Sequence, residues 1–180
     1  MGVDIFGWIE VGTRYKEVDW YGIVKVDTLL WRNTNAFSCL FGVRNCSNTV
    51  PVAAGRGLPP NKSWEVEKEI DEPDYHSHTW ITWQELTQVD WDELIVSHSI
   101  RRYKKDKKDE WIYDSTFLST KAADYTNGDS WENGEYLHQL KYISRSDAVK
   151  STFGLVFDLM ERLAKSYGNE FVRLVVWFEC

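Results

Sequence analysis

His76 and His78 lie two residues apart in the run His76-Ser77-His78-Thr79-Trp80-Ile81-Thr82. On an extended segment that spacing sends both imidazoles to the same side. With Asp74 or His98 they offer nitrogen and oxygen donors of the kind that hold a metal. No third ligand is fixed by spacing, so no metal and no cofactor is expected. His76 beside Asp71, Glu72 or Asp74 also has the make-up of a general base with an orienting acid. Ser77 or Thr79 would serve as a nucleophile only with a histidine aimed at it from elsewhere, because neighbours on a strand face opposite ways. The bland reading of these hydroxyls is that they satisfy loop amides.

Upstream, Gly55-Arg56-Gly57 allows backbone amides to converge on an anion while Arg56 supplies a two-pronged guanidinium. The competing reading is a turn whose arginine pairs with a carboxylate, and Arg44 carries the same two readings. Trp80 and Trp83 present faces on which a base could stack, or they fill a core. Thr82 adds a hydroxyl at the end of the run. The chain has no Gly-x-Ser-x-Gly, no His-Glu-x-x-His and no Walker-type phosphate loop.

Bulk composition narrows the partners. The 180 residues are 43% hydrophobic and 15% aromatic, with 10 Trp, enough for the core of one domain. Net charge is −7. Residues 101–108 hold six basic side chains and one acid, a local +5, so −12 is left for the remainder. Such a surface repels a polyanion, which argues against duplex nucleic acid and leaves room for one small anion in one basic pocket. Lys104 to Lys108 reads most simply as a solvated hairpin tip. No run reaches the roughly 20 apolar residues of a membrane span. The start Met1-Gly2-Val3-Asp4 lacks the features of a signal peptide. Three cysteines without a Cys-x-x-Cys fit a reducing compartment, so a cytoplasmic protein is expected.

The elements that must hold these side chains follow from periodicity. Residues 3–11 alternate as a strand, with Gly7 marking a close approach by a neighbour, and residues 19–27 form its hairpin partner. Asn33 or Asn35 caps a short helix through Phe41 that stops at Gly42. Residues 55–82 show no regular period until their end, and we expect them to be an irregular binding segment. Thr82 and Glu85 have capping-box spacing ahead of Leu86. Residues 93–103, with Leu94, Val96, His98 and Ile100 on one side, and residues 111–118 form a second strand pair. Residues 119–145 read as an irregular excursion containing two Asn-Gly turn signals. Ser146 caps a long helix through Tyr167 with an apolar stripe, and Gly168 ends it in a left-handed cap. Residues 170–178 form a strand buried on both faces, beside the N-terminal strand. The fold class is therefore α+β: one domain spanning residues 1–180, a mostly antiparallel sheet with the long C-terminal helix across one face.

In order and spacing the chain resembles a family of small uncharacterised phage and bacterial proteins. Its members open Met-Gly-Cys-Asp-Ile-His and carry Gly-Val-Arg-Asn, Arg-Gly-Leu-Pro and His-Ser-x-x-Trp-x-Thr motifs, ending on a Val-Arg-x-Val-x-x-Phe strand. The matching residues here are Asp4-Ile5, Gly42 to Asn45, Arg56 to Pro59, His76-Ser77, Trp80, Thr82, Glu85-Leu86 and Val172 to Phe178. Roughly residues 100–145 lie outside the likeness. Val3 and Phe6 replace the family's Cys and His, so nothing that needs that pair carries over. The resemblance implies a phage or prophage setting more strongly than any activity. Together with the residues, it suggests a non-enzymatic accessory protein that sequesters a small anionic ligand, a nucleotide or nucleotide-derived host defence signal. Arg44, Arg56 and Gly57 would meet phosphate, His76, His78 and Thr82 would hydrogen-bond the ligand, and Trp80 would stack on a base. Two alternatives stand beside it: a His-dependent or metal-assisted phosphodiesterase, and an inhibitor that binds a host protein through acidic surface and exposed aromatics. Oligomeric state is left open, a homo-oligomer included.

Overall fold

The computed structural model describes residues 2–14, 18–118 and 130–180. Two antiparallel sheets and four α-helices make up an α+β fold. The first sheet has the order β2-β1-β8-β3, built from β1 (Asp4–Arg14), β2 (Val18–Lys25), β3 (Tyr75–Thr82) and β8 (Val172–Glu179). The second has the order β5-β4-β7-β6, from β4 (Leu94–Lys105), β5 (Trp111–Leu118), β6 (Ser130–Asn133) and β7 (Tyr136–Ser144). The helices are α1 (Thr34–Phe41), α2 (Trp64–Glu69), α3 (Trp83–Leu86) and α4 (Arg145–Tyr167). Among the described residues no helix is long and apolar enough to cross a membrane.

β8 runs through the middle of the first sheet, and its apolar residues from Val172 to Phe178 are all buried. Val172, Leu174, Val176 and Phe178 face the main core. There they meet α1 and the stripe Val149, Phe153, Val156 and Met160 of α4. On the other face Val175 and Trp177 pack with Val66 of α2 and with Phe6, Trp8, Tyr75 and Trp80. β1 comes very close to β8: a Cβ added at Gly7 would stand 2.1 Å from the Val175 carbonyl oxygen. That is the close approach expected at this glycine.

A buried ion pair ties β1, β8 and the loop before α2 together. Glu10 and Arg173 are 0% and 3% exposed, and Arg173 Nε donates to Glu10 Oε2 at 2.5 Å. The Ser63 amide donates to Glu10 Oε1, Arg173 reaches the carbonyls of Pro60 and Asn61, and the guanidinium lies 3.6 Å over the Trp20 ring. Both lone-pair and donor sets are thus satisfied, which a buried pair requires. Burial lowers the Arg173 guanidinium from its usual range, and Glu10 opposes that.

Several expectations need correcting. The stretch 55–82 is irregular only at 55–63 and 70–74: Ser63 caps α2, and β3 is a full edge strand. A six-residue helix is too short for periodicity to reveal. Residues 130–144 are strands β6 and β7, joined at Gly134, where the Asn-Gly signal correctly marks a turn. The rest of the expected excursion, 119–129, lies outside the described residues. Ser144, not Ser146, caps α4, and Gly168 ends it at φ 100, ψ 149 instead of the left-handed cap. β4 does not alternate cleanly, because its register against β7 shifts between Val96 and Ile100.

That shift buries His98, which is 2% exposed. Its Nε2 lies 3.2 Å from Ser38 Oγ and 3.3 Å from Ser47 Oγ, and its amide donates to Asn35. The network fastens β4 to α1. Burial pushes the His98 imidazole below its ordinary value. The unfolded chain therefore binds a proton that the fold resists, and stability falls as pH drops below about 6.5. Denaturant titrations should show lower stability at pH 5.5 than at pH 7.5, and His98→Asn should remove part of that loss, the half-buried His78 keeping the rest.

The basic stretch at 101–108 does not form a cationic patch. Its six positive side chains share the β4–β5 and β6–β7 hairpins with Asp106, Asp109, Glu110, Asp114, Glu132 and Glu135. Arg102, Lys104 and Lys105 pair with Asp114, Glu135 and Asp109.

Candidate functional site

The seven residues expected to share one pocket fall into two groups at opposite ends of β3, with His78 between them. The first group is built on a helix cap. Thr82 opens α3, and the reciprocal bonds of a capping box join it to Glu85. Arg56 adds its guanidinium to the same carboxylate, Nη1 to Oε2 at 3.0 Å and Nη2 to Oε1 at 2.8 Å. It also donates to the Trp80 carbonyl at 3.2 Å and lies 5.2 Å over the Trp80 ring. Burial alone would raise the Glu85 carboxyl, yet hydrogen bonds from Arg56 and Thr82 hold it below the ordinary carboxylate range.

This is a correction to the expected anion cradle. The Arg56 fork is occupied by a carboxylate, the Thr82 hydroxyl donates to that carboxylate, and Arg173 lies within 5.9 Å of the Trp80 ring as well. Gly55 and Gly57 take φ of 67° and 69° and are exposed, which suits the turn that brings Arg56 back to β3. The competing reading, a turn whose arginine pairs with a carboxylate, describes this loop.

The second group forms where β3 and β8 meet. His76 stands opposite Phe178, and its ring stacks on that phenyl at 6.4 Å. Cys180 follows β8, with Sγ 3.2 Å from His76 Nε2. The other ring nitrogen, Nδ1, is 2.9 Å from Ser77 Oγ. Arg44, two residues beyond the Gly42 cap of α1, is exposed and reaches Cys180 Sγ with Nη2 at 4.0 Å. Among the described residues no carboxylate pairs with Arg44.

The His76–Ser77 contact overturns the rule that strand neighbours face opposite ways. Ser77 is left-handed at φ 53, and the β3–β8 register shifts between His76 and Thr79. The bulge turns the Ser77 hydroxyl back to the imidazole before it. It also breaks the alternation on which the shared side of His76 and His78 depended. His78 is half-buried, its Nε2 has no hydrogen-bond partner among the described residues, and burial, then the charge of His76, pushes its imidazole below the ordinary value. Asp71, Glu72 and Asp74 are exposed, and the hydrogen-bonding groups at His76 are Ser77 and Cys180 instead.

Three surface hollows lie elsewhere. One of about 310 Å³ is lined by Val18, Asp19, Trp20, Tyr21, Asn61 and Lys62, beside the Arg173 ion pair. The others lie along α4 and at the β4–β7 hairpin tips. None of these three is lined by the seven expected ligand residues. Among the described residues no three His, Cys, Asp or Glu side chains are grouped closely enough to hold a metal ion. Comparison with known protein families, curated proteins and solved structures finds no match to the chain.

Sequence reasoning missed Cys180 as a site residue. It entered only as one of an odd number of cysteines, and its meeting with residue 76 depends on the β3–β8 register. The one available signal was that the apolar run ending at Phe178 delivers the next residues to the sheet's end.

Proposed function

We propose that the protein binds a small anionic ligand, a nucleotide or nucleotide-derived signal, and sequesters it as a phage-type accessory protein in the host cytoplasm. The observation that carries this reading is Arg44. It is a solvent-exposed guanidinium with no carboxylate partner among the described residues, held in a left-handed backbone conformation, and it shares the Cys180 sulfur with the His76 imidazole. On a chain of net charge −7, an anion needs such a local cation to be held at all. Arg44 and His76 meet the anionic group, and the Arg56–Glu85 pair shapes the neighbouring loop without touching it. The phage setting rests on the resemblance carried by the Arg-Gly-Leu-Pro and His-Ser-x-x-Trp-x-Thr stretches, and the sequestering role follows from that setting alone.

Thermal shift and calorimetry against mononucleotides, cyclic dinucleotides and inorganic phosphate test it. A ligand at 100 times its Kd adds about 2.7 kcal/mol to stability, a clear rise in melting temperature. Arg44→Ala should weaken binding about tenfold or more. Arg56→Ala should cost about 1 kcal/mol of stability and leave Kd unchanged. If no nucleotide raises the melting temperature, or Arg44→Ala binds as the parent does, the reading fails. Turnover of a cyclic dinucleotide, lost in His76→Ala, would replace sequestration by hydrolysis.

A further inference from the structure

Five non-glycine residues among those described adopt positive φ: Arg44, Asn48, Asn61, Ser77 and Asp109. Asn and Asp visit this region with little strain, because their short side chains bond locally. Arg44 and Ser77 have no such local bond to favour it, and each is held there against its backbone preference. Both belong to the chain of contacts that ends on the Cys180 sulfur. Backbone strain of this kind gathers where a side chain must be aimed.

We infer that Cys180, His76, Ser77 and Arg44 form a reactive-thiol site that takes up small anionic disulfides by thiol–disulfide exchange. Cys180 is exposed, whereas Cys39 is buried and Cys46 half-buried. His76 Nε2 is placed to accept the thiol proton, and Ser77 holds Nδ1 and so the orientation of the ring. The sulfur of Cys180 attacks one sulfur of the reagent, the reagent's S–S bond breaks, and a mixed disulfide forms. The departing thiolate takes the proton from His76. Cys180 is oxidised and one half of the reagent is reduced, so no further oxidant enters. Arg44 pairs with the carboxylate of the incoming disulfide and places positive charge beside the sulfur. The inference rests on the anion reading for the role of Arg44 alone.

The test uses oxidised glutathione (anionic) and cystamine (cationic) on the full chain, with mass spectrometry locating the mixed disulfide and its rate. The expected result is modification at Cys180 ahead of Cys39 and Cys46, faster than on an unstructured cysteine peptide. Arg44→Ala should slow oxidised glutathione by about fivefold and leave cystamine unslowed. His76→Ala should slow both reagents. Ser77→Ala should slow both in the parent and have no effect in the His76→Ala background, a coupling that a merely structural role would not produce. Cys180 reacting no faster than the peptide, or rates indifferent to His76→Ala, would overturn the inference. Cys180→Ser keeps Arg44 and His76, so its nucleotide titration reports on the anion reading separately. Selective labelling without nucleotide binding leaves the thiol site standing and removes only the nucleotide.

Discussion

Replacing Glu10 by alanine should destabilise the fold by about 3–5 kcal/mol, the usual cost of stranding the partner of a buried ion pair. Arg173 would then be a guanidinium at 3% exposure facing the carbonyls of Pro60 and Asn61 and the Trp20 and Trp80 rings, with no carboxylate among the described residues. The Ser63 amide would lose its acceptor at the same time, loosening the segment that leads into α2. Urea unfolding checks it, with a lower midpoint at an unchanged slope. Glu10→Leu combined with Arg173→Met should recover much of the loss, since well-packed apolar residues often replace a buried pair at no cost. A loss below about 1 kcal/mol for Glu10→Ala would mean that water reaches the pair.

The second large effect is expected at Gly7. Its neighbour is not a flexible side chain but the backbone oxygen of Val175, 2.1 Å from where a Cβ would be. The two central strands, β1 and β8, would have to move apart, and both carry the core on the α4 side. Gly7→Ala should cost about 3 kcal/mol, the upper end for overpacking a core. For a chain of this length that lowers the melting temperature by about 6–12 °C. Gly12→Ala is the control on the same strand, because its nearest neighbours are side chains at 3.0 Å or more. If the two variants melt alike, the β1–β8 approach is not as close as described.

The α+β class, the long helix and the doubly buried last strand were legible because each rests on a long periodic or apolar run. The stripe from Val149 to Ala164 and the run from Leu174 to Phe178 leave little choice of element. Two of the four helix caps among the described residues were legible for the same local reason, Asn33 and Thr82 with Glu85, whereas the same spacing at Ser63 and Ser144 went unread. What local pattern cannot supply is register. A bulge at Ser77 and a shift between Val96 and Ile100 decided where His76, His78 and His98 went, and neither leaves a mark in the sequence. The stretch 101–108 read correctly as a hairpin tip, but nothing local showed that part of its counter-charge comes from residues more than twenty positions away.

The site shows the same division. Gly55-Arg56-Gly57 has the make-up of an anion cradle, and nothing in its spacing reveals that Glu85 waits beside it. A guanidinium in a two-pronged bond to a partly buried carboxylate is a structural clamp, and an incoming phosphate would have to displace it. Arg44 had the weaker motif and has the freer side chain. The thiol that completes its surroundings lies 136 residues further along the chain.

A crystal soaked in a mixture of nucleotides tests the division most directly. Ligand density is expected with its anionic group between Arg44 and His76, next to Cys180, and with the Arg56–Glu85 pair unbroken. Density lodged instead against Arg56 and Trp80, with Glu85 displaced, would contradict it.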